Sequence, residues 1–249
     1  MTRFRWLPAL ALAAALALAP DAGAQTRPAT ARDASGAALR VAGSVVLVEP
    51  DIELSLLTAG GLLEPREAWT RAARIHYAAA VREVLAAAGT AQRPDFDLPD
   101  DLDPDSRLGQ VVRLNEAVAL SISQFSMPGG ALATKRDARG RPRLDWTLGE
   151  GVASLREATG ADYALFTYVR DSYASGGRTA LRVLGFIAGA AMGTGLDIGG
   201  GLQLGVATLV DLRTGQVVWF NLMARQSGDL REAEGAKKTV ALLLEDLPL

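Results

Sequence analysis

Two runs of alternating apolar residues flank a short glycine turn near the C-terminal end, and they constrain the fold more than any other feature. Leu202, Leu204, Val206, Thr208 and Val210 share one face of an extended segment, and Val217, Trp219 and Met223 continue the pattern on the return. Arg213, Thr214 and Gly215 make the turn between them, where Gly215 takes positive φ at no steric cost. The pattern predicts a β-hairpin. Upstream, Tyr163, Leu165, Thr167 and Val169 alternate with Ala164, Phe166 and Tyr168. Apolar groups on both faces predict a strand covered on both sides, with a wetter end at Arg170, Asp171 and Ser172. Gly160, just before it, suits the left-handed residue that ends a helix.

The remaining elements follow from periodicity. Val41–Pro50 is too short and too β-branched for a helix and reads as the first core strand. A second hairpin is expected around Ala59, Gly60 and Gly61. Pro65 suits a helix start, and Trp69, Ala73, His76, Tyr77, Ala80, Val84 and Ala88 then recur at helical spacing until Gly89. A second helix, capped by Asp103 with Pro104 in its first turn, carries Leu108, Val111, Leu114, Val118 and Ile122 on its apolar stripe. Thr147 and Glu150 fit a capping box opening the short helix before Gly160. Asp229 and Glu232 open a last helix with Ala233, Ala236, Val240, Leu243 and Leu247 inward and Lys237 and Lys238 outward. The expected class is α/β: a single mixed sheet with a C-terminal β-hairpin, packed by three to four helices.

Composition removes several functions. The net charge is −2 and the pI near 5.6, so there is no basic excess for binding a phosphate backbone, and no nucleic-acid partner is expected. The chain has no cysteine, which excludes disulfides, thiolate metal sites and a cysteine nucleophile. With a single histidine, His76, no multi-histidine zinc site is available within one chain. No metal or cofactor is expected.

The N-terminus carries Arg3 and Arg5, an apolar run from Leu7 to Ala19, and the small residues Ala22, Gly23 and Ala24. That order describes a secretory signal peptide over 1–24, cleaved after Ala24, which places the mature protein in the periplasm. The apolar run is shorter than the roughly 20 residues a spanning helix needs; an uncleaved anchor is the alternative. Export argues against reactions that draw on cytosolic ATP or nicotinamide pools. Residues 25–40 lack periodicity and read as a flexible leader, leaving 41–249 as one α/β domain.

Three loops carry possible chemistry. An apolar, glycine-rich insert spans about 178–201, with Gly185, Gly189 and Gly193 spaced by four. If helical, these glycines permit close backbone approach, and Leu184, Gly185, Phe186, Ile187, Gly189 and Gly193 become the candidate interface for self-association, an envelope partner or a membrane surface. The alternative is a helix packed over its own sheet. Its GTGLDIGGG stretch lacks the following GK[ST] of a phosphate loop. The acidic stretch with Asp95, Asp97, Asp100, Asp101, Asp103 and Asp105 lacks the glycine and glutamate of an EF-hand and reads as a solvated connector, with calcium the alternative. Lys135–Arg143 is a basic loop, either a solvated turn or a dock for anionic lipid or an acidic partner.

The helix–GAD–strand unit at Gly160–Tyr168, followed by VDLRTGQVVW at Val210–Trp219, resembles bacterial envelope proteins. These are the curli-secretion channel subunit family and the N-terminal domain of the Tol translocation protein. The resemblance covers most of 41–249 and implies a periplasmic α/β module that works by assembly or docking. The chain departs from the lipoprotein members in lacking a lipidated cysteine, and from a pore in lacking strand pairs of barrel length. The expected function is therefore non-enzymatic, with no catalytic residues. The alternative is a secreted hydrolase built on carboxylates such as Asp145 and Glu150, or on His76 with a serine.

Overall fold

The computed structural model describes residues 25–58, 62–127, 130–174, 202–225 and 228–249. Its strands are β1 (Gln25–Thr26), β2 (Ala29–Thr30), β3 (Val45–Leu47), β4 (Asp51–Leu57), β5 (Leu63–Pro65), β6 (Tyr163–Ala174), β7 (Gln203–Asp211) and β8 (Val217–Arg225). Its helices are α1 (Glu67–Ala87), α2 (Arg107–Phe125), α3 (Ala153–Thr159) and α4 (Ala233–Leu243). The strands form one mixed sheet in the order β1-β8-β7-β6-β4-β5, with β2 also on β8 and β3 also on β6. The expected α/β class, single mixed sheet and C-terminal hairpin are all present.

β6 is central because apolar side chains on both of its faces are covered and the backbone groups on both of its edges are paired. β3 and β4 run parallel to it on one edge, and β7 runs antiparallel on the other. β3 pairs with Tyr163–Leu165 and β4 with Tyr168–Ala174, and the line breaks at Val48–Pro50 between them. Pro50 has no N–H to offer a ladder, and the Glu49 N–H turns away to the Phe96 carbonyl at 2.8 Å. In the β7–β8 hairpin Leu209 faces Trp219 and Val210 faces Val217, so Val218 is an extra residue on β8. That bulge sends Val217 to one face of the sheet while Val218 and Trp219 pack on the other. The turn needs glycine twice over: Gly215 has φ 74°, and a Cβ there would lie 2.3 Å from the Gly149 carbonyl oxygen.

Helices α1 and α4 cover one face. Tyr77, Val81, Val240 and Leu243 pack on Leu165, Leu209, Trp219 and Met223. Lys237 of α4 ties to Glu83 of α1 at 2.9 Å across the surface. Helices α2 and α3 take the opposite face, where Val111, Ile122 and Leu155 meet Ala164, Val210 and Phe220.

Several boundaries differ from those expected. The segment read as a leader is pinned to the sheet: β1 and β2 pair with β8, and Ala31 is fully buried. Strands of two residues are too short to carry a period, which is why the pattern is silent there. Pro65 ends β5, and α1 begins only after Arg66. Ser106, not Asp103, caps α2, its Oγ accepting from the Gly109 N–H at 3.0 Å. Leu114 stands exposed on α2, and Asn115 takes a buried place instead. The Thr147 hydroxyl accepts from the Gly149 N–H at 2.9 Å, so the expected capping box with Glu150 does not form. Asp229 binds Arg231 rather than capping α4.

Candidate functional site

The alternation along β6 and β7 brings Phe166, Tyr168, Leu204, Val206 and Thr208 to the face that carries α2. The helix covers the Thr208–Val210 end of that face, but Leu204 and Val206 remain half-buried. What is left is an open groove of about 590 Å³. One wall is the flank of α2 bearing Val112, Glu116, Ala119, Leu120 and Ser123, spaced three and four residues apart. The other wall is the break between β3 and β4, at Val48–Asp51, with Leu98 and Arg74 beside it. Leu120 and Tyr168, 57% and 39% exposed, stand at the mouth.

A few polar groups are set into this apolar surface. On the floor the Thr208 hydroxyl donates to Asn115 Oδ1 at 2.7 Å, with both residues buried. Along the broken strand, Arg170 holds Asp51 through two parallel bonds of 2.9 and 3.0 Å, and its guanidinium lies 3.8 Å from the Tyr168 ring centroid. Arg74 binds Glu49 at 3.0 Å, and the other Glu49 oxygen accepts from the Leu98 N–H at 3.0 Å. Glu116 has no ion-pair partner among the described residues; burial and then the neighbouring Asp51 carboxylate raise its pKa.

On the other face of the same strands lies a closed polar network. Asp171 Oδ2 accepts from the Tyr173 hydroxyl at 2.6 Å and from Gln203 Nε2 at 2.7 Å. Gln203 Oε1 accepts from Arg225 Nε at 2.6 Å and from the Thr239 hydroxyl at 2.9 Å. Burial pushes the Asp171 carboxyl up to about 6, against the pull of these hydrogen bonds and of Arg225. Burial also lowers the Arg225 pKa and raises that of Tyr173. Beside the network, Arg231 stacks between Tyr173 and Trp69, at 4.1 and 4.9 Å from the ring centroids. With Asp171 only 4% exposed and its Oδ2 twice bonded, the network joins Thr239 of α4 to the sheet through Gln203 and Arg225.

The residues singled out from sequence do not converge here. Leu184, Gly185, Phe186, Ile187, Gly189 and Gly193 lie outside the described residues. His76 is half-buried on the flank of α1 and makes no hydrogen bond to a described residue. Asp145 pairs with Arg143 at 2.5 Å, and Glu150 is exposed. Asp95 pairs with Arg82, and Asp103 accepts from the Asp105 N–H at 2.9 Å. In the basic loop Asp137 accepts from the N–H groups of Arg139 and Arg141, both at 2.9 Å, and folds the stretch on itself. Among the described residues, no group of three or more His, Asp or Glu is placed to hold a metal, and no helix is long and apolar enough to cross a membrane.

The groove is not marked by any long pattern in the sequence. The signal available was Asn115, a polar residue inside the apolar stripe of α2, and Thr208, its counterpart on the hairpin.

No family model and no curated protein matches the chain. Among solved structures it is similar to the PelC dodecamer from Paraburkholderia phytofirmans, at 13% identity and a TM-score of 0.39, over 91% of this chain and 98% of that one. A point variant of the same dodecamer matches at 15% identity and 0.38, over 91% and 99%. At that distance the likeness assigns no function.

Proposed function

We propose that the chain is an exported, non-enzymatic docking protein of the cell envelope, and that the α2-face groove receives the apolar part of its partner. The N-terminal pattern at 1–24 supports export to the periplasm. The groove carries the docking reading. Its volume of about 590 Å³ falls within the usual range for ligand pockets, roughly 300–1,000 Å³. Its floor is apolar, its polar groups are few, and two large side chains, Leu120 and Tyr168, are left facing solvent at its mouth. Large apolar groups clustered around a concavity mark interaction sites more often than scattered ones do.

The experiment is a fluorescence titration of the mature protein with N-phenyl-1-naphthylamine, a neutral apolar probe. Wild type is expected to bind and brighten it. Leu120→Glu puts a charge at the mouth without touching the core, and should weaken binding about tenfold at an unchanged unfolding midpoint. A wild type that does not bind the probe contradicts the reading.

A further inference from the structure

The charges along the groove differ from one another in a way that names its occupant. Three carboxylates line it, Glu49, Asp51 and Glu116, against two guanidiniums, Arg74 and Arg170. Both guanidiniums are engaged, Arg74 with Glu49 and Arg170 with Asp51. That leaves Glu116 as the surplus carboxylate. It sits one helical turn before Leu120 on the same flank of α2, so its charge is held beside the apolar mouth. Arg113 and Arg170 act on it from a distance, and neither forms an ion pair with it.

Resting on the docking reading above, we infer that the groove takes a peptide segment of a partner protein that presents apolar side chains with a lysine or arginine one turn away, the cation meeting Glu116. A carboxylate held against apolar surface gains most from a donor that brings its own positive charge, because charge-assisted bonds are the strong ones. The same carboxylate, with Asp51 close by, repels the phosphate of a phospholipid headgroup. The apolar floor supplies area, and Glu116 supplies orientation and choice.

The test uses the bound neutral probe and two short synthetic amphipathic peptides with identical leucine positions, one carrying lysine and the other glutamate on the polar face. The lysine peptide should displace the probe at about threefold to fivefold lower concentration than the glutamate peptide, the effect of one exposed charge beside an apolar surface. Glu116→Gln should bring the two within about twofold, and Glu116→Lys should reverse their order. Glu157→Gln removes an exposed carboxylate of α3, outside the groove, and should leave the preference intact, which separates Glu116 from the overall acidity of the chain. Equal displacement by both peptides overturns the inference, as does a preference that survives Glu116→Gln. Stronger displacement by phosphatidylglycerol vesicles gives the groove to lipid and also overturns it. So does a concentration-dependent dimer that Leu120→Glu dissolves, which gives the groove to a second copy. These outcomes leave the probe bound by the free wild-type groove, whereas the failure of the docking reading shows as no probe binding at all.

Discussion

Tyr173 donates its hydroxyl hydrogen to Asp171 Oδ2 at 2.6 Å, two residues back on the same strand, under the cover of Leu230, Arg231 and Trp69. The bond satisfies a carboxylate that burial makes costly to ionise. The Asp171 pKa rises from 3.8 to about 6, so the folded chain holds this proton more tightly than the unfolded one. Its contribution to stability is therefore full below about pH 4 and is lost as pH climbs through about 6.

Asp171→Asn imitates the protonated form at every pH. The variant should be more stable than wild type by about 2 kcal/mol near pH 7.5, and the two should converge near pH 4. Urea unfolding midpoints at the two pH values measure the difference. A gap that does not change with pH contradicts burial as the source of the shift.

Asn115 and Thr208 form the only described side-chain pair that links α2 to β7 by a hydrogen bond. Asn115→Ala should cost about 1–3 kcal/mol, because it strands a buried hydroxyl as well as losing the bond. Thr208→Val in the Asn115→Ala background should cost less than Thr208→Val alone. A double-mutant cycle by chemical denaturation gives the coupling, expected at about 1 kcal/mol.

Two glycines at helix starts are held by contact and not by dihedral angle. A Cβ at Gly235 would lie 1.8 Å from the Asp229 carbonyl oxygen, and one at Gly109 would lie 2.2 Å from that of Asp103. Alanine is the better helix former by about 1 kcal/mol, yet Gly235→Ala and Gly109→Ala should both destabilise, by about 1–3 kcal/mol. Thermal melts with matched two-state fits check the sign.

Legibility in the sequence followed the length of the repeating pattern. β6, β7 and β8 each run nine residues or more, with alternating apolar groups, and all three were readable. The exception is the end of β6 expected to be wet, which is buried at Asp171 and Ser172, whose polar groups are satisfied by Tyr173, Gln203 and Leu202. The stripes of α1 and α4 were readable in part: Ala73, Tyr77, Ala80, Ala236, Val240 and Leu243 are buried as expected, while Ala88 and Ala233, at the helix ends, are exposed. Caps were not, because Asp103, Ser106 and Asp229 are all competent acceptors and only the path of the chain decides which one meets a free N–H. The groove was hidden for a different reason. Val112 and Leu120 look like ordinary flank residues of an amphipathic helix, and their exposure depends on α2 leaving Leu204 and Val206 half-covered.

Ala31 is fully buried among the residues packed on the α2 face. Ala31→Asp should cost about 2–5 kcal/mol through an unpaired buried charge, whereas a loose leader would tolerate it at no cost. Denaturation of the mature chain with and without the substitution decides between them.

A methyl-resolved NMR titration with N-phenyl-1-naphthylamine tests most directly whether the α2-face groove is a receptor surface. Shifts should concentrate on Val112, Leu120, Leu204, Val206 and Leu222, which line the groove, and leave Leu85, Val240 and Leu243 on the opposite face unmoved. Saturation without shifts at the groove, or shifts confined to the α1–α4 face, would contradict it.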